Sequence, residues 1–163
     1  MTEQTSGAVP ELTVAIAAYN ERATIMQVLE RVMAVPVTKQ IIVVDNCSTD
    51  GTRELLADVD DSVEVIFQPR NLGKGTSIRT AITQARGEYF IIQDADLEYE
   101  PEQYPRLLSY AREHDLDALY GSRVMEGRNT NYVGYYFGVQ ALTWMTNVLY
   151  GARLTDVATA CKM

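Results

Sequence analysis

Two aspartates, Asp94 and Asp96, stand one residue apart directly after a short apolar run, Tyr89–Ile92. In extended or turning backbone their carboxylates can converge on one hard cation, whereas a bare pair of carboxylates would repel itself. Mg²⁺ or Mn²⁺ bridging phosphate oxygens is the chemistry that such a site serves. Acidic pairs are also common in solvated loops, so the position at the end of an apolar run is what favours the metal site.

Polar side chains follow three other apolar runs. Tyr19 and Glu21 follow the first run, and Asp45 ends the second. Arg123 comes shortly after the run Leu116–Tyr120. Ligands of an open parallel sheet bind at the carboxyl ends of its strands, so the set predicts a nucleotide crevice. Taken singly, Tyr19 and Glu21 also suit the start of a helix, and Asp45 suits a cap or turn. The Arg123 guanidinium would reach a phosphate or form a structural salt bridge.

The segment 71–75, Asn-Leu-Gly-Lys-Gly, is a loop directly before a stretch with helical spacing of apolar residues. Backbone N–H groups at the start of that helix and the Lys74 ammonium could meet an anion. The segment lacks the GxxxxGK[ST] pattern of a Walker loop, and the sequence contains no GxGxxG. Dinucleotide binding of the Rossmann type is therefore not predicted.

The elements that must position these side chains alternate along the chain. Short runs rich in β-branched residues predict strands, and apolar residues at helical spacing follow each of the first four. This alternation predicts an α/β fold with a Rossmann-like, mostly parallel sheet flanked by helices. The predicted strands are Leu12–Ala17, Ile41–Val44, Val63–Phe67, Tyr89–Ile92 and Leu116–Tyr120.

The composition excludes several classes of protein. The chain has 163 residues, enough for one domain, with 14 Lys and Arg against 22 Asp and Glu. A net charge of −8 excludes a general nucleic-acid binder, because a phosphate backbone requires a concentrated excess of cationic side chains. The cysteines, Cys47 and Cys161, form no disulfide or zinc pattern and fit a reducing cytoplasm. The single histidine, His114, argues against a histidine metal cluster or triad.

Two segments fall outside the alternating pattern. Residues 1–11 are polar and small without an apolar core, which predicts a disordered lead-in before one domain over 12–163. Residues 132–150 carry no charge and are crowded with aromatic side chains such as Trp144. Three interpretations stay open for them: a transmembrane helix, an interfacial helix lying in the membrane surface, or a helix packed in the core or in an oligomer.

Five segments, in order along the chain, resemble family 2 glycosyltransferases, and most closely the polyprenyl-phosphate sugar transferases of the dolichol-phosphate mannose synthase type. They are 17–21 (AAYNE), 42–52 (IVVDNCSTDGT), 71–75 (NLGKG), 93–98 (QDADLE) and 120–123 (YGSR). The resemblance covers Leu12 to about Lys162. It implies a GT-A fold, a GDP- or UDP-linked sugar donor, a divalent cation (Mg²⁺ or Mn²⁺) and inversion at the anomeric carbon.

The resemblance also implies roles for individual residues. Asp94 and Asp96, with Ala95 between them, would be the DxD motif that binds the cation and the diphosphate, and Glu98 would be a further cation ligand. Arg123 would engage the donor phosphates or the acceptor phosphate. With Asp96 and Arg123, Asp156 would complete the catalytic set by positioning the acceptor. The base and ribose would be held by Ala17, Tyr19, Glu21, Val43 and Asp45.

The implied acceptor is a polyprenyl phosphate at the cytoplasmic membrane surface. A phosphate monoester is largely dianionic at neutral pH, so its attack requires no strong base, which agrees with the scarcity of histidine. Residues 132–150 would supply peripheral membrane contact or a homo-oligomer interface. The alternatives are a non-catalytic nucleotide-sugar-binding domain and a transferase acting on a soluble glycan or protein.

Some positions depart from the family pattern. Ala17, Asn46 and Cys47 stand where Pro, Asp and Gly are usual. The chain ends at Met163, where relatives continue into acceptor-side structure, so a C-terminally truncated domain is expected.

Overall fold

The computed structural model describes residues 9–97, 99–122, 133–159 and 162–163, and only the backbone of 133–136. Four strands form one parallel sheet in this part of the chain, in the order β3-β2-β1-β4. The strands are β1 (Leu12–Ala18), β2 (Lys39–Asp45), β3 (Val63–Phe67) and β4 (Tyr89–Asp94). The α/β prediction with a mostly parallel sheet is confirmed by this arrangement.

Helices connect the strands, as parallel pairing requires. The connecting helices are α1 (Ile25–Ala34), α2 (Thr52–Ala57) and α3 (Lys74–Gln84). After β4 come α4 (Tyr104–Glu113), which a short 3₁₀ turn (Pro101–Gln103) precedes, and α5 (Val133–Tyr150). The chain divides into two compact units, Met1–Ser109 and Tyr110–Met163. The first unit holds the sheet.

The core of the first unit lies on both faces of β1 and β2. All of β1 except Ala17 is fully buried, and β2 is buried from Gln40 to Asp45. The sequences of such strands are near-continuous apolar runs because helices cover both sheet faces. Helix α1 buries Ile25, Val28, Leu29 and Val32, the face that their helical spacing predicts. Helix α3 buries Ser77 and Ala81, whereas Ile82, whose spacing from Ile78 and Ala81 predicts an inward position, is 54% exposed.

The first strand begins at Leu12 as predicted, but its ordered backbone pairing starts earlier. Glu88 N donates to Pro10 O and Glu11 N donates to Thr38 O, each within 3.0 Å. Of the predicted lead-in, residues 10 and 11 are thus tied to the sheet by hydrogen bonds, and residues 1–8 lie outside the described residues.

The predicted fifth strand, Leu116–Tyr120, is not a strand of this sheet. In the second unit, Leu119 and Met163 exchange two backbone hydrogen bonds of 2.9 and 3.0 Å, and Tyr120 forms an isolated antiparallel bridge with Lys162. The prediction is corrected because the backbone groups of this segment pair with the residues at 162–163.

Helix α5 of the second unit turns its polar residues inward. Asn147 Nδ2 donates to Leu154 O and its Oδ1 accepts from Leu154 N, both at 2.9 Å. The Thr143 hydroxyl is buried and accepts from Val157 N. The opposite face is apolar and exposed, and we call it the α5 apolar face (Phe137, Trp144, Met145, Val148 and Leu149). Within the described residues no helix combines the length and hydropathy needed to cross a bilayer.

Gly87 joins α3 to β4 at a point of close backbone approach. Its N–H donates to the buried Thr13 hydroxyl at 2.9 Å, and that hydroxyl donates to Gln40 Oε1 at the same distance. A Cβ at this position would lie 2.4 Å from Thr13 N and 2.6 Å from Leu12 C. Both are backbone atoms of a central strand, so the contact cannot be relieved by a rotamer change.

Gly87→Ala is therefore expected to lower the free energy of unfolding by about 1–3 kcal/mol, the usual cost of overpacking. Gly75→Ala is the matched control, because it lies within α3 and a Cβ there would meet nothing within 4 Å. The control is expected to be neutral or more stable by up to about 1 kcal/mol. Urea unfolding followed by circular dichroism measures both, and equal midpoints for the two variants would contradict the prediction.

Candidate functional site

The strand order places a crevice between β1 and β4. The chain runs outward from β1 through β2 to β3 and then returns to the other side of β1 with β4. Ligands of open α/β sheets bind at such a switch point, beyond the carboxyl ends of the strands. The register sets Ala17 beside Asp94 and Ala18 beside Asp45 at that edge.

A cleft of about 340 Å³, called the β1/β4 cleft, opens at this switch point. Its volume is within the range of small-molecule sites. Seven of the residues predicted from the sequence line it: Ala17, Tyr19, Glu21, Lys74, Asp94, Ala95 and Asp96. The lining also includes Ala18, Asn46, Asn71, Gly73 and Ser77, which were not predicted as ligand contacts.

The two aspartates of the DxD segment enter the cleft from the end of β4. Asp94 is the last residue of β4, and Asp96 follows in the bend after it. The Asp94 side chain is 16% exposed, and its Oδ1 accepts a hydrogen bond from Lys74 Nζ at 2.5 Å. Lys74 and Asp94 thus form an ion pair across the cleft lining, and the more exposed partner is Lys74, at 58%.

The donor set fits a hard divalent cation that takes further ligands from its substrate. Carboxylate oxygens are suitable ligands for Mg²⁺, which usually keeps water and substrate phosphates in the rest of its coordination shell. Among the described residues no three acidic, histidine or cysteine side chains group closely enough to hold a metal ion. Asp94 and Asp96, which both line the cleft, are carboxylates of the kind such a cation takes. Glu98, the third predicted ligand, lies outside the described residues.

The loop before α3 is held by two asparagines that sequence reasoning missed as site residues. Asn46 Oδ1 accepts from Leu72 N at 2.8 Å, and Asn46 Nδ2 donates to Asn71 Oδ1 at 2.9 Å. Asn71 Oδ1 also accepts from Gly73 N at 3.0 Å. Gly73 has φ +82°, a conformation that favours glycine. The sequence signal that could have identified Asn46 as a site residue is its position, one residue after the end of a strand.

The loop after β1 brings Tyr19 and Glu21 to the cleft and also begins α1. Asn20 has φ +59°, and its Oδ1 accepts from Thr49 N at 2.8 Å, which ties this loop to the one after β2. Glu21 Oε2 accepts from the Thr24 hydroxyl, and Glu21 O accepts from Ile25 N. Glu21 thus lines the cleft and serves the start of the helix, the two interpretations its sequence position allowed. Tyr19 is 45% exposed.

Asp45 and Val43 lie beneath the site rather than in its lining. Asp45 is completely buried, and its Oδ2 pairs with Arg53 Nε at 2.9 Å. Its carboxylate also accepts from Ser48 N, three residues along, as a turn carboxylate does. Val43 is completely buried in the centre of the sheet. The sequence predicts that both residues hold the base and ribose. Because neither lines the cleft, they would contribute to that role through the loops above them.

The remaining predicted residues belong to other parts of the chain. Arg123 lies outside the described residues. Asp156 lies in the second unit, where it is buried and its Oδ1 accepts from Ala158 N at 3.1 Å.

Comparison with known proteins agrees with these features. The family model described as Glycosyl transferase family 2 matches residues 13–151. The low-salt glycan biosynthesis hexosyltransferase Agl6 of Haloferax volcanii is 32% identical over 161 residues, 94% of this chain and 38% of Agl6. The undecaprenyl-phosphate 4-deoxy-4-formamido-L-arabinose transferase of Pectobacterium carotovorum is 33% identical over 63% of this chain and 34% of that protein. The chain spans less than two fifths of the length of either relative.

Solved structures show the same fold. S. aureus TarS 1–349 in complex with UDP-GlcNAc matches with a TM-score of 0.61 and 23% identity, over 75% of this chain and 37% of that one. The mannosyltransferase PcManGT from Pyrobaculum calidifontis, in complex with GDP-Man and Mn²⁺, matches with a TM-score of 0.50 and 29% identity. That match covers 55% of this chain and 28% of PcManGT. The predicted GT-A fold class is confirmed by these likenesses.

The buried Asp45–Arg53 pair is expected to be essential for the stability of the loop after β2. Removing one partner of a buried pair costs about 3–5 kcal/mol. Because the Arg53 side chain is 35% exposed, we expect Arg53→Met to lie near the lower end of that range. The matched control is Arg31→Met, because its partner Glu102 is 57% exposed whereas Asp45 is completely buried, and such a surface pair is worth about 1 kcal/mol or less.

Chemical unfolding of both variants checks this expectation. Asp45→Asn added to Arg53→Met should recover part of the loss, because the neutral amide has no charge to compensate. If Arg53→Met and Arg31→Met lower the free energy of unfolding equally, the Asp45–Arg53 pair is no more stabilising than the Arg31–Glu102 pair.

Proposed function

The chain belongs to glycosyl transferase family 2, and we propose on that basis that it transfers a hexose from a GDP- or UDP-linked donor to a polyprenyl phosphate with inversion at the anomeric carbon. The observation that carries this proposal is the β1/β4 cleft. Its lining includes Asp94, Asp96 and Lys74, at the switch point of a parallel sheet.

The proposed donor site follows from the charges in the cleft. Asp94 and Asp96 would hold a Mg²⁺ or Mn²⁺ ion, which when bound offsets the charge that develops on the leaving diphosphate. Tyr19 and Glu21, on the β1 side of the lining, would contact the nucleoside, with Ala17 beneath them. The likeness to PcManGT, whose structure holds GDP-Man and Mn²⁺, supports a donor and cation of this class.

Lys74 and the first turn of α3 would face the donor phosphates. An ammonium and the unpaired N–H groups at a helix start both favour an anion. Gly73 allows the backbone to turn into the helix at this point without a side chain in the cleft. Asn46 and Asn71 would act by fixing this loop.

The proposed acceptor carries its own nucleophile. A phosphate monoester is mainly dianionic at neutral pH, so the chain must orient it and exclude water rather than remove a proton. Arg123 would bind a phosphate and Asp156 would position the acceptor, while Glu98 would add a cation ligand. The likeness to the undecaprenyl-phosphate transferase supports this acceptor class, and we place its action at the cytoplasmic face of the membrane.

Donor binding is expected to depend on the cation. Isothermal titration of UDP- and GDP-sugars should give a dissociation constant at least about tenfold lower with Mn²⁺ than without it, as typical for coupled sites. Asp96→Asn should remove that gain because it deletes one of the two carboxylate ligands. The matched control, Asp61→Asn, alters an exposed loop residue away from the cleft and should retain the gain.

Transfer distinguishes the proposal from its alternatives. With Mn²⁺, the chain should transfer the sugar to a short-chain polyprenyl phosphate, which mass spectrometry detects as a phosphodiester-linked product. Transfer to soluble glycans alone would contradict the acceptor, and donor binding without transfer to any acceptor would favour a non-catalytic binding domain.

The α5 apolar face is proposed to contact the membrane that contains such an acceptor. Trp144 and Phe137 are each 67% exposed and Leu149 is 71% exposed, while the polar Thr143 and Asn147 are satisfied by the chain itself. An exposed helix face of aromatic and aliphatic residues suits the interface between headgroups and acyl chains. A homo-oligomer interface is the competing use of the same surface.

Trp144→Gln is expected to lower the partition coefficient onto phosphatidylcholine–phosphatidylglycerol vesicles by about tenfold, because burying an aromatic side chain contributes about 1.5–3 kcal/mol. Met33→Gln is the matched control on α1, where Met33 is 42% exposed. Vesicle flotation measures both variants. If the unmodified chain does not float with vesicles, or if Trp144→Gln instead dissociates a dimer in sedimentation velocity, membrane contact is excluded.

A further inference from the structure

In the Lys74–Asp94 ion pair, the lysine ammonium occupies a carboxylate oxygen of Asp94 that a divalent cation would use. Lys74 Nζ lies 2.5 Å from Asp94 Oδ1, and both residues line the β1/β4 cleft. An ammonium at this distance neutralises the carboxylate and fills one of its acceptor positions. A divalent cation that binds Asp94 therefore meets a competitor built into the chain.

The backbone of Lys74 is fixed while its side chain can move. Lys74 is the first residue of α3, and the preceding loop is tied to the end of β2 through Asn46 and Asn71. Asp94 is fixed in turn by the pairing of β4 with β1. The Lys74 side chain is 58% exposed, and a lysine is a point charge on a flexible four-carbon stem. It can leave Asp94 without any change in the sheet or the loop.

We infer that Lys74 is an internal counter-ion of Asp94 that competes with the divalent cation and is drawn off by the donor diphosphate, so that donor and cation bind cooperatively. This inference rests on the proposed function. A diphosphate at the start of α3 offers the ammonium several anionic oxygens together with the helix N-terminus. Once Lys74 turns to them, both oxygens of Asp94 are available to the cation.

This arrangement has a thermodynamic consequence. If the diphosphate raises the affinity for the cation, the cation raises the affinity for the diphosphate by the same factor. The coupling would keep the cleft from holding a cation without a donor. A lysine that only neutralised the cleft would weaken cation binding by its charge alone and would contribute no such coupling.

Lys74→Met tests the inference through Mn²⁺ binding, measured by electron paramagnetic resonance of the free ion, with and without UDP or GDP. Without nucleotide, Lys74→Met is expected to bind Mn²⁺ about tenfold more tightly than the unmodified chain, within the usual range of coupling between sites. The factor by which nucleotide tightens Mn²⁺ binding should fall by about the same amount. Lys74→Arg keeps the charge and should retain most of the competition.

Arg79→Met is the matched control, because it removes the same charge from an exposed position of the same helix. Arg79→Met should change Mn²⁺ affinity by less than about twofold, since salt screens the interactions of an exposed charge. Thermal unfolding of each variant reports whether the fold is retained.

The outcomes separate this inference from the function on which it rests. If Lys74→Met binds Mn²⁺ no more tightly than the unmodified chain, or if Arg79→Met gives an equal gain, Lys74 is not a specific competitor, although nucleotide binding would still support the proposed function. If neither UDP nor GDP binds the unmodified chain with Mn²⁺, the proposed function fails and this inference fails with it.

Discussion

The parallel pairing of β4 with β1 is the constraint on which the site depends. It sets Asp94 beside Ala17, at the one edge where the strand order reverses. Successive side chains of a strand point to opposite sheet faces, so a slip of one residue would turn the Asp94 carboxylate to the other face. The register is secured by burial, since β1 has almost no exposed position that could tolerate such a slip.

The loops above the sheet are fixed by polar contacts that sit between the core and the cleft. Asp45, completely buried at the end of β2, is compensated by Arg53. The next residue, Asn46, binds the loop that leads into α3. The end of β2 therefore stabilises both the loop that follows it and the loop before α3. These contacts shape the cleft. Asn46 has an amide where the family that the sequence resembles usually has a carboxylate. The amide can both donate and accept hydrogen bonds.

One carboxylate of the cleft, Asp94, is paired with a cation of the same chain. The acidic protein as a whole carries a net charge of −8, yet Asp94 has a lysine in contact with it. The charge at the start of α3 therefore differs from the average over the surface. Polarity also varies locally in helix α5, since Thr143 and Asn147 bind its own unit whereas Phe137 and Trp144 are exposed.

The sequence by itself determined the α/β class, the first four strands and the cleft positions of Tyr19, Glu21, Lys74, Asp94 and Asp96, because hydrophobic periodicity and polar strand ends are local signals. Only the tertiary structure decided that Leu116–Tyr120 pairs with residues 162–163, that Asp45 is buried against Arg53, and that Asn46 and Asn71 line the cleft. It also decided which face of α5 is exposed and that Lys74 contacts Asp94. The contacts of Asn46 with Asn71 and of Lys74 with Asp94 depend on which distant segments meet, and a contact between residues 20 or more positions apart leaves no periodic trace in one sequence.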